Sequence, residues 1–182
     1  MERALDTLKN GGVLLYPTDT VWGIGCDATN PQAVERVYQI KKRTDSKALI
    51  TLIDSENRLA RYVEQVPDAA WDLLNCADEP LTIIYPKGKN LAPNLLAENG
   101  SVAIRVTKED ISKMLCYRLQ KPIVATSANI SGEPAPQNFL QISNEIKNAV
   151  DYIVPYRQNE KKFSPPSKII QLEIDGRFKI IR

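Results

Sequence analysis

The sequence contains no histidine. This excludes every site that needs an imidazole, such as serine–histidine–aspartate triads, histidine general bases and HExxH metal sites. Its three cysteines, Cys26, Cys76 and Cys116, are far apart and form no CxxC pair. An odd number of scattered thiols is typical of a reduced compartment and argues against a disulfide framework. We therefore expect a cytoplasmic protein.

The chain also lacks a dominant charge and long apolar runs. It has 24 basic and 22 acidic residues, a formal net charge of +2. This balance excludes a globally basic nucleic-acid binder, so any contact with a polyanion must come from local clustering. No apolar run approaches membrane-spanning length, and the N-terminus has no signal-peptide pattern. We expect no membrane association.

What is present is typical of a globular domain. Hydrophobic residues make up 43% of the 182 residues and charged residues 25%, which is enough for one full core, so we expect a single domain over 1–182. Strand-like and helix-like segments alternate, and Asp175-Gly176 joins two strand-like runs. This order predicts an α/β fold, a twisted mixed sheet with flanking helices and a C-terminal antiparallel hairpin.

Several element boundaries follow from local signals. Asn30 and Pro31 predict a helix start, with asparagine as the cap and proline at the first position. Thr107 is predicted to cap a later helix. Residues 139–150 are predicted to form one helix, and residues 122–125 a strand that runs into a polar turn.

A polar stretch follows the first predicted strand, which spans residues 13–16 and ends at Pro17. A flexible polar turn at a strand end is what a small-molecule pocket requires. An ordinary turn whose hydroxyls bond to their own backbone explains the same residues. The polar residues are Thr18, Asp19 and Thr20, followed by Gly23 and Gly25.

Three further stretches carry candidate chemistry, each with a structural alternative. Lys41-Lys42-Arg43, with Lys47, either grips a polyphosphate or forms a solvated helix end. Arg105, in an otherwise apolar strand, either holds an anionic ligand or reaches solvent from the strand end. Residues 126–132 place hydroxyls, an amide and a glycine after a strand, and present donors either to phosphate or to their own turn.

These stretches resemble motifs of the YrdC-like family, the threonylcarbamoyl-AMP synthases. Residues 16–28 are similar to its opening signature, Pro-Thr-Glu/Asp-Thr-x-Tyr-Gly-Leu-x-x-Asp-Ala, with Trp22 at the tyrosine position. Residues 127–132 carry its most characteristic string, Ser-Ala-Asn-x-Ser-Gly. Shorter matches are Lys-x-Arg at Lys41 and Arg43, Val-Ala-x-Arg ending at Arg105, and Ile-Leu-Arg ending at Arg182.

The resemblance implies a YrdC-like fold and a nucleotidyltransferase reaction. L-Threonine, bicarbonate and ATP would give threonylcarbamoyl-AMP and pyrophosphate. Other proteins, those of the tRNA threonylcarbamoyl-transfer complex, would then use the adenylate to modify an adenosine in tRNA. ATP is expected as a substrate with Mg²⁺, with no bound organic cofactor and no dedicated metal site. We expect a short form without the extra C-terminal domain that longer members carry.

The resemblance also implies residue roles. Lys41 and Arg43 are the expected catalytic cations. The expected ATP-binding residues are Lys41, Arg43, Lys47, Ser101, Ser127, Asn129 and Arg182. The expected threonine-binding residues are Thr18, Thr20, Arg105, Ala125 and Ser167. Val21, Leu52 and Ala125 are candidates for an apolar wall against the threonine methyl group.

Departures from the family pattern leave two alternatives open. Leu52 stands where some members have histidine, Lys168 replaces a threonine, and the 156–166 loop lacks the usual glycines. A paralogue with another acyl or nucleotide substrate is therefore one alternative. The other is a translation-associated module for double-stranded RNA, with weak tRNA or RNA binding through Lys41, Lys42, Arg43, Lys47, Lys87 and Lys89.

Overall fold

The computed structural model describes residues 1–43, 49–160 and 164–182. These ranges contain six α-helices and three short 3₁₀ turns. The helices are α1 (Glu2–Lys9), α2 (Pro31–Ile40), α3 (Leu59–Tyr62), α4 (Ala69–Asn75), α5 (Asp110–Leu119) and α6 (Asn144–Ala149). The 3₁₀ turns are Glu56–Arg58, Pro93–Leu95 and Phe139–Gln141. No helix in these ranges is both long and apolar enough to cross a membrane.

The nine strands of the described chain form one mixed sheet, in the order β7-β1-β2-β6-β3-β5-β4-β8-β9. The pairs β1–β7, β3–β5 and β4–β8 are parallel, and the other neighbours are antiparallel. The predicted mixed sheet is thus confirmed. The strands are β1 (Leu14–Tyr16), β2 (Gly23–Gly25), β3 (Ile50–Ile53), β4 (Leu81–Tyr85), β5 (Val102–Val106), β6 (Ile123–Ser127), β7 (Tyr152–Ile153), β8 (Lys168–Leu172) and β9 (Phe178–Ile180).

Helix α2 begins where its capping residues require. The Asn30 side chain accepts hydrogen bonds from the backbone amides of Gln32 and Ala33, and Pro31 occupies the first helical position. Both features stabilise a helix start, because the first amides have no partner within the helix. The predicted cap is confirmed, and the helix delivers Lys41 to the centre of the molecule.

Helix α5 starts later than predicted. The Glu109 carboxylate, rather than the Thr107 hydroxyl, caps it by accepting a hydrogen bond of 2.8 Å from the amide of Ser112. The Thr107 amide instead donates to the carbonyl of Ile53, and its buried hydroxyl pairs with that of Ser112 at 2.7 Å. Thr107 is thereby held against the end of β3, so the prediction of a Thr107 cap was wrong.

Two other boundaries differ from prediction. Residues 139–150 do not form one helix, because Asn138 caps a 3₁₀ turn and Ser143 caps a separate helix, α6. Strand β6 extends to Ser127, since Thr126 and Ser127 pair with β2. The polar turn therefore begins after Ser127, two residues later than expected.

The core consists of three buried apolar clusters along the sheet. The first packs α2 against β1, β2 and β6 through residues such as Val34 and Ile24. The second lies under α1 and α5, and the third under α3 and α4. Gly25 permits the close approach of β2 to its neighbour, because a Cβ there would collide with the carbonyl oxygen of Val124.

The C-terminal hairpin turns at Gly176, whose φ of +86° suits glycine. It pairs β8 and β9 in antiparallel register, as predicted. The Ile169 amide then donates to the carbonyl of Arg182 at 2.9 Å. The hairpin therefore brings Arg182 back beside Ser167 at the start of β8.

Candidate functional site

An open cavity of about 730 Å³ lies beside the centre of the sheet. This volume suits a ligand of cofactor or nucleotide size. Its walls combine apolar side chains with polar groups from distant parts of the chain. The polar lining includes Thr18, Thr20, Arg43, Asn99, Ser101, Arg105, Thr126, Ser127, Gln137, Ser167, Gln171 and Arg182.

Strand geometry explains how these groups meet. Alternate residues of a strand face the same side of a sheet, so Ala103 and Arg105 of β5 both line the cavity. Ala125 and Ser127 line it from β6 in the same way, and Thr126 between them also lies in the lining, so alternation alone does not account for the end of this strand. The turn after β1, the end of α2 and the C-terminal hairpin complete the walls.

Arg105 is a buried cation at the cavity wall, with 3% of its side chain exposed. Its guanidinium lies 2.9 Å from the carboxylate of Asp19, while its Nε has no hydrogen-bond partner. Burial lowers the pKa of Arg105 below its usual range, and the charge of Asp19 opposes that shift. The alternative of a strand-end arginine that reaches solvent is wrong. Arg105 lines the cavity, and its buried Nε is left without a hydrogen-bond partner within the described protein.

Asp19 is the partner that the sequence did not assign. Its signal was local, a carboxylate between two threonines after a strand. The pairing with Arg105 becomes visible only when the turn after β1 and the strand β5 are brought together.

The turn after β1 satisfies itself and also faces the cavity. The Thr18 hydroxyl donates to the carbonyl of Val21 at 2.8 Å and accepts from the amide of Thr20 at 3.1 Å. Because its one proton is used there, it accepts from the Thr20 hydroxyl, 3.1 Å away. Thr18 and Thr20 both line the cavity. The stretch is therefore a turn whose hydroxyls bond to each other and to its own backbone, and it also forms part of a cavity wall.

Ser167 and Arg182 form the wall near the hairpin. The Ser167 hydroxyl is buried and lies 2.9 Å from that of Thr82. The Arg182 Nε donates to the carbonyl of Ser167 at 3.1 Å. Arg182 is an exposed residue and forms part of the cavity lining.

Lys41 is buried behind the wall, with 3% of the residue exposed. Its Nζ donates to the carbonyl oxygens of Ser127 at 2.6 Å and Asn129 at 2.7 Å, and lies 3.4 Å from Asn129 Oδ1. Burial, and secondarily the nearby charge of Arg43, lowers the pKa of Lys41 to about 8. The interpretation of Lys41 as part of a solvated helix end is wrong.

The side chain of Asn129 bonds to the backbone of its own turn. Its side-chain amide donates to the carbonyls of Ile130 at 3.0 Å and Glu133 at 2.6 Å. These bonds shape the turn that follows β6, so this side chain serves the turn itself.

Most of the predicted site residues converge on the cavity. Those in its lining are Thr18, Thr20, Arg43, Ser101, Arg105, Ala125, Ser127, Ser167 and Arg182. Lys41 and Asn129 lie behind the lining, and Lys47 is outside the described residues. Of the apolar wall candidates, Val21 and Ala125 line the cavity, but Leu52 packs into the core with Leu115 and Cys116.

The sequence missed several lining residues. Asn99 and Gln137 lie in loops, Gln171 lies on β8, and Ile84 and Ile169 come from strands of ordinary composition. Asn99, Gln137, Gln171 and Ile84 stand in no motif, so no local signal pointed to these four.

The charge of the lining indicates the ligand class. Arg43, Arg105 and Arg182 face one cavity, and hydroxyls lie between them. Arginine recognises carboxylate and phosphate oxygens through paired donors. In the described part of the chain, no group of three or more histidine, cysteine, aspartate or glutamate side chains is placed to hold a metal ion. The cavity is suited to an anionic ligand.

Comparisons with known proteins agree with this geometry. The model of the Sua5/yciO/yrdC family, described as Telomere recombination, matches residues 6–182. The Threonylcarbamoyl-AMP synthase of Pseudoalteromonas translucida is 36% identical over 154 residues, covering 83% of this chain and 82% of that protein. The enzyme of the same name from Photobacterium profundum is 32% identical over 149 residues, covering 80% of each.

Solved structures share the fold. P. abyssi Sua5 complexed with L-threonine superposes with a TM-score of 0.84 at 26% identity, over 99% of this chain. The present chain spans about half of that protein, 52% of its length. E. coli YciO superposes with a TM-score of 0.84 at 24% identity, over 99% of this chain and 86% of that one. The expected fold is confirmed.

Proposed function

The chain belongs to the Sua5/yciO/yrdC family, and from this premise we propose that it is an L-threonylcarbamoyladenylate synthase. In the proposed reaction, L-threonine, bicarbonate and ATP give threonylcarbamoyl-AMP, pyrophosphate and water. The observation that carries the proposal is that one cavity combines a buried arginine with further arginines and with hydroxyls in its wall. Such a cavity suits an amino acid and a nucleotide bound side by side.

We assign the threonine end to the region around Arg105. Its buried guanidinium, with an Nε that lacks a partner, would pair with the threonine carboxylate. Thr18, Thr20 and Ser167 supply hydroxyls nearby, and Ala125 supplies an apolar surface. The curated relatives named for this reaction and the threonine complex of P. abyssi Sua5 support threonine as the substrate.

We assign the nucleotide end to Arg43, Ser101, Ser127 and Arg182. Two arginines and two hydroxyls in the lining support binding of a triphosphate. Mg²⁺ would arrive with ATP, bound mainly by phosphate oxygens and water. Lys47 is proposed to join this end on the basis of the family resemblance alone.

The proposed chemistry relies on positioning. The threonine amine and bicarbonate condense to a carbamate with loss of water, and a carbamate oxygen attacks the α-phosphorus of ATP. The bond between the α-phosphorus and the bridging oxygen breaks, and pyrophosphate leaves with that electron pair. Negative charge develops on phosphate oxygens, so fixed cations and donors stabilise the transition state. A chain without histidine can supply such fixed cations and donors and can position the reactants.

The adenylate is an activated acyl donor, so we propose that it passes to proteins that transfer the threonylcarbamoyl group to an adenosine of tRNA. The three free cysteines support a reduced compartment, which we propose to be the cytoplasm. We regard residues 1–182 as one catalytic domain. The double-stranded RNA module is less well supported, because Lys41, Lys42 and Arg43 of its basic cluster are divided between the core, an ion pair and the cavity.

The proposal is tested by the release of pyrophosphate from ATP with purified protein. Release is expected to require threonine and bicarbonate together, and the nucleotide product should carry the threonylcarbamoyl group by mass spectrometry. Equal release with either one omitted would contradict the synthase. Release that requires bicarbonate with a different amino acid would support the paralogue alternative.

A further inference from the structure

The buried ammonium of Lys41 has used its donors within the protein. A lysine ammonium carries three N–H bonds, and Lys41 Nζ faces three oxygens, the carbonyls of Ser127 and Asn129 and the Asn129 side-chain oxygen. Two of these contacts are 2.6 and 2.7 Å long, as in strong charge-assisted bonds. The third contact, to Asn129 Oδ1, is longer at 3.4 Å, so two donors of this ammonium are fully engaged and the third faces an oxygen of the same turn.

The backbone of Lys41 binds the same turn. Its carbonyl accepts a hydrogen bond of 2.8 Å from the amide of Ser131. Side chain and main chain of one residue therefore hold both ends of the turn from Ser127 to Ser131. This turn lies next to the cavity, because Ser127 is part of the lining.

The arrangement separates the two cations of the Lys-x-Arg pair. Arg43 lines the cavity, whereas Lys41 is behind it. For Lys41 to reach a ligand, its ammonium would have to leave three oxygens. The carbonyl of Ser127 also accepts a hydrogen bond of 2.9 Å from the amide of Asn129, but the carbonyl of Asn129 has no second donor among the described residues. Buried acceptors left without donors are costly, so we expect Lys41 to keep these bonds when the cavity is filled.

We propose that Lys41 is a positioning residue that fixes the 127–131 turn so that Ser127 faces the nucleotide, and that it does not itself bind phosphate. The identity of the ligand rests on the proposed function. The assignment of Lys41 to the turn rests on its contacts in this structure.

The first test measures the turn without any ligand. Lys41→Met removes the ammonium and keeps a flexible side chain of similar length, and Lys42→Met is the matched control because Lys42 is exposed and pairs with Glu145. Hydrogen exchange of peptides that cover residues 127–133 is expected to rise in Lys41→Met and to stay at the wild-type level in Lys42→Met. Unchanged exchange in folded Lys41→Met would overturn the proposal.

The second test measures a Mg²⁺-bound, non-hydrolysable ATP analogue by calorimetry. Lys41→Met is expected to weaken its binding by about 10–100-fold, the equivalent of one or two charge-assisted hydrogen bonds. Lys41→Arg keeps a charged donor and is expected to recover part of both the affinity and the exchange protection. Threonine affinity should stay close to wild type in Lys41→Met, Lys41→Arg and Lys42→Met.

A double-mutant cycle separates the two roles. If Lys41 acts through the turn, adding Lys41→Met to Ser127→Ala should cost less than Lys41→Met costs alone. Additive losses with unchanged exchange would show that Lys41 touches the nucleotide directly. If the wild-type protein binds no ATP analogue, the proposed function fails, and the ligand-free exchange experiment still decides whether Lys41 fixes the turn.

Discussion

The guanidinium of Arg105 and the carboxylate of Asp19 form a buried ion pair of 2.9 Å, with 3% and 9% of the two side chains exposed. Its hydrogen bonding is incomplete, since Arg105 Nε and Asp19 Oδ1 have no hydrogen-bond partner of good geometry. The pair thus balances charge without using all donors of the arginine. The charge of Arg105 in the cavity wall is therefore compensated within the protein.

The first prediction concerns the stability that this pair provides. Asp19→Asn leaves Arg105 charged and buried, and loss of one partner from a buried pair lowers the free energy of unfolding by about 3–5 kcal/mol. Urea denaturation measures the change. The control is Glu79→Gln, which breaks the solvent-exposed pair with Lys168 and should leave the urea midpoint unchanged. Similar midpoints for the two variants would contradict the role of Asp19.

The second prediction concerns threonine affinity. Arg105→Ala should weaken threonine binding by roughly 2–4 kcal/mol, as expected for loss of a charge-assisted bidentate contact. Binding of an ATP analogue should change much less. Arg105→Lys keeps the charge but loses the paired donors of the guanidinium. Its threonine affinity should lie between those of the wild type and Arg105→Ala. Calorimetry that finds wild-type threonine affinity in a folded Arg105→Ala variant would refute the assignment.

The third prediction concerns side-chain selectivity. Threonine and serine present the same polar groups, so a preference must come from apolar surface around the extra methyl group. Val21 and Ala125 line the cavity and can supply it, and one buried methyl group is equivalent to roughly 10–200-fold in specificity. Serine should therefore be used less well than threonine within that range.

Valine should be rejected more strongly than serine, because it lacks the hydroxyl that pairs with polar groups of the pocket. Competition assays with the three amino acids test the order. Val21→Ala should narrow the gap between threonine and serine. Equal use of serine and threonine by the wild-type protein, or better use of valine than of serine, would disprove this picture of the pocket.

The fourth prediction concerns pH and Lys41. Its pKa falls from 10.5 to about 8 in the folded protein because of burial and the charge of Arg43. Between these two values the unfolded chain binds more protons than the native one, so this group makes the protein more stable as the pH rises through that window. Lys41→Met should remove this contribution, measured by urea denaturation across the window beside wild type.

Nucleotide binding should follow the opposite trend. Loss of the proton above about pH 8 weakens the donors that hold the 127–131 turn, so affinity for an ATP analogue should fall there in the wild-type protein. Lys41→Arg stays charged and should bind equally well on both sides of that pH. A matching decline in both proteins would assign the effect to another group.

The fifth prediction concerns RNA. Lys41 is buried, Lys42 pairs with Glu145 at 2.7 Å and Arg43 lines the cavity, so these three cations do not form one basic surface. RNA binding should therefore be weak, unspecific and steeply reduced by salt. Filter-binding titrations over a range of salt concentrations measure it. A sub-micromolar complex that survives physiological salt would favour the RNA module instead.

The sequence by itself determined the elements whose signals are local. The helix start at Asn30 and Pro31 and the turn at Asp175-Gly176 each depend on residues within one turn of the chain, and both formed where predicted. The family motifs likewise identified Arg43, Arg105 and Ser127, which the structure brings to one cavity.

The tertiary structure decided what each side chain touches. Lys41 Nζ meets the carbonyl of Ser127 across 86 positions of sequence, and Asp19 meets Arg105 across a similar distance. Such contacts depend on strand order, register and helix placement together, which no local pattern encodes. For the same reason, Leu52, a candidate for the cavity wall that stands where some family members have histidine, packs instead into the core with Leu115 and Cys116. Local hydrogen bonding and periodicity fix the elements, whereas long-range packing assigns the side chains to the cavity wall, the layer behind it or the core.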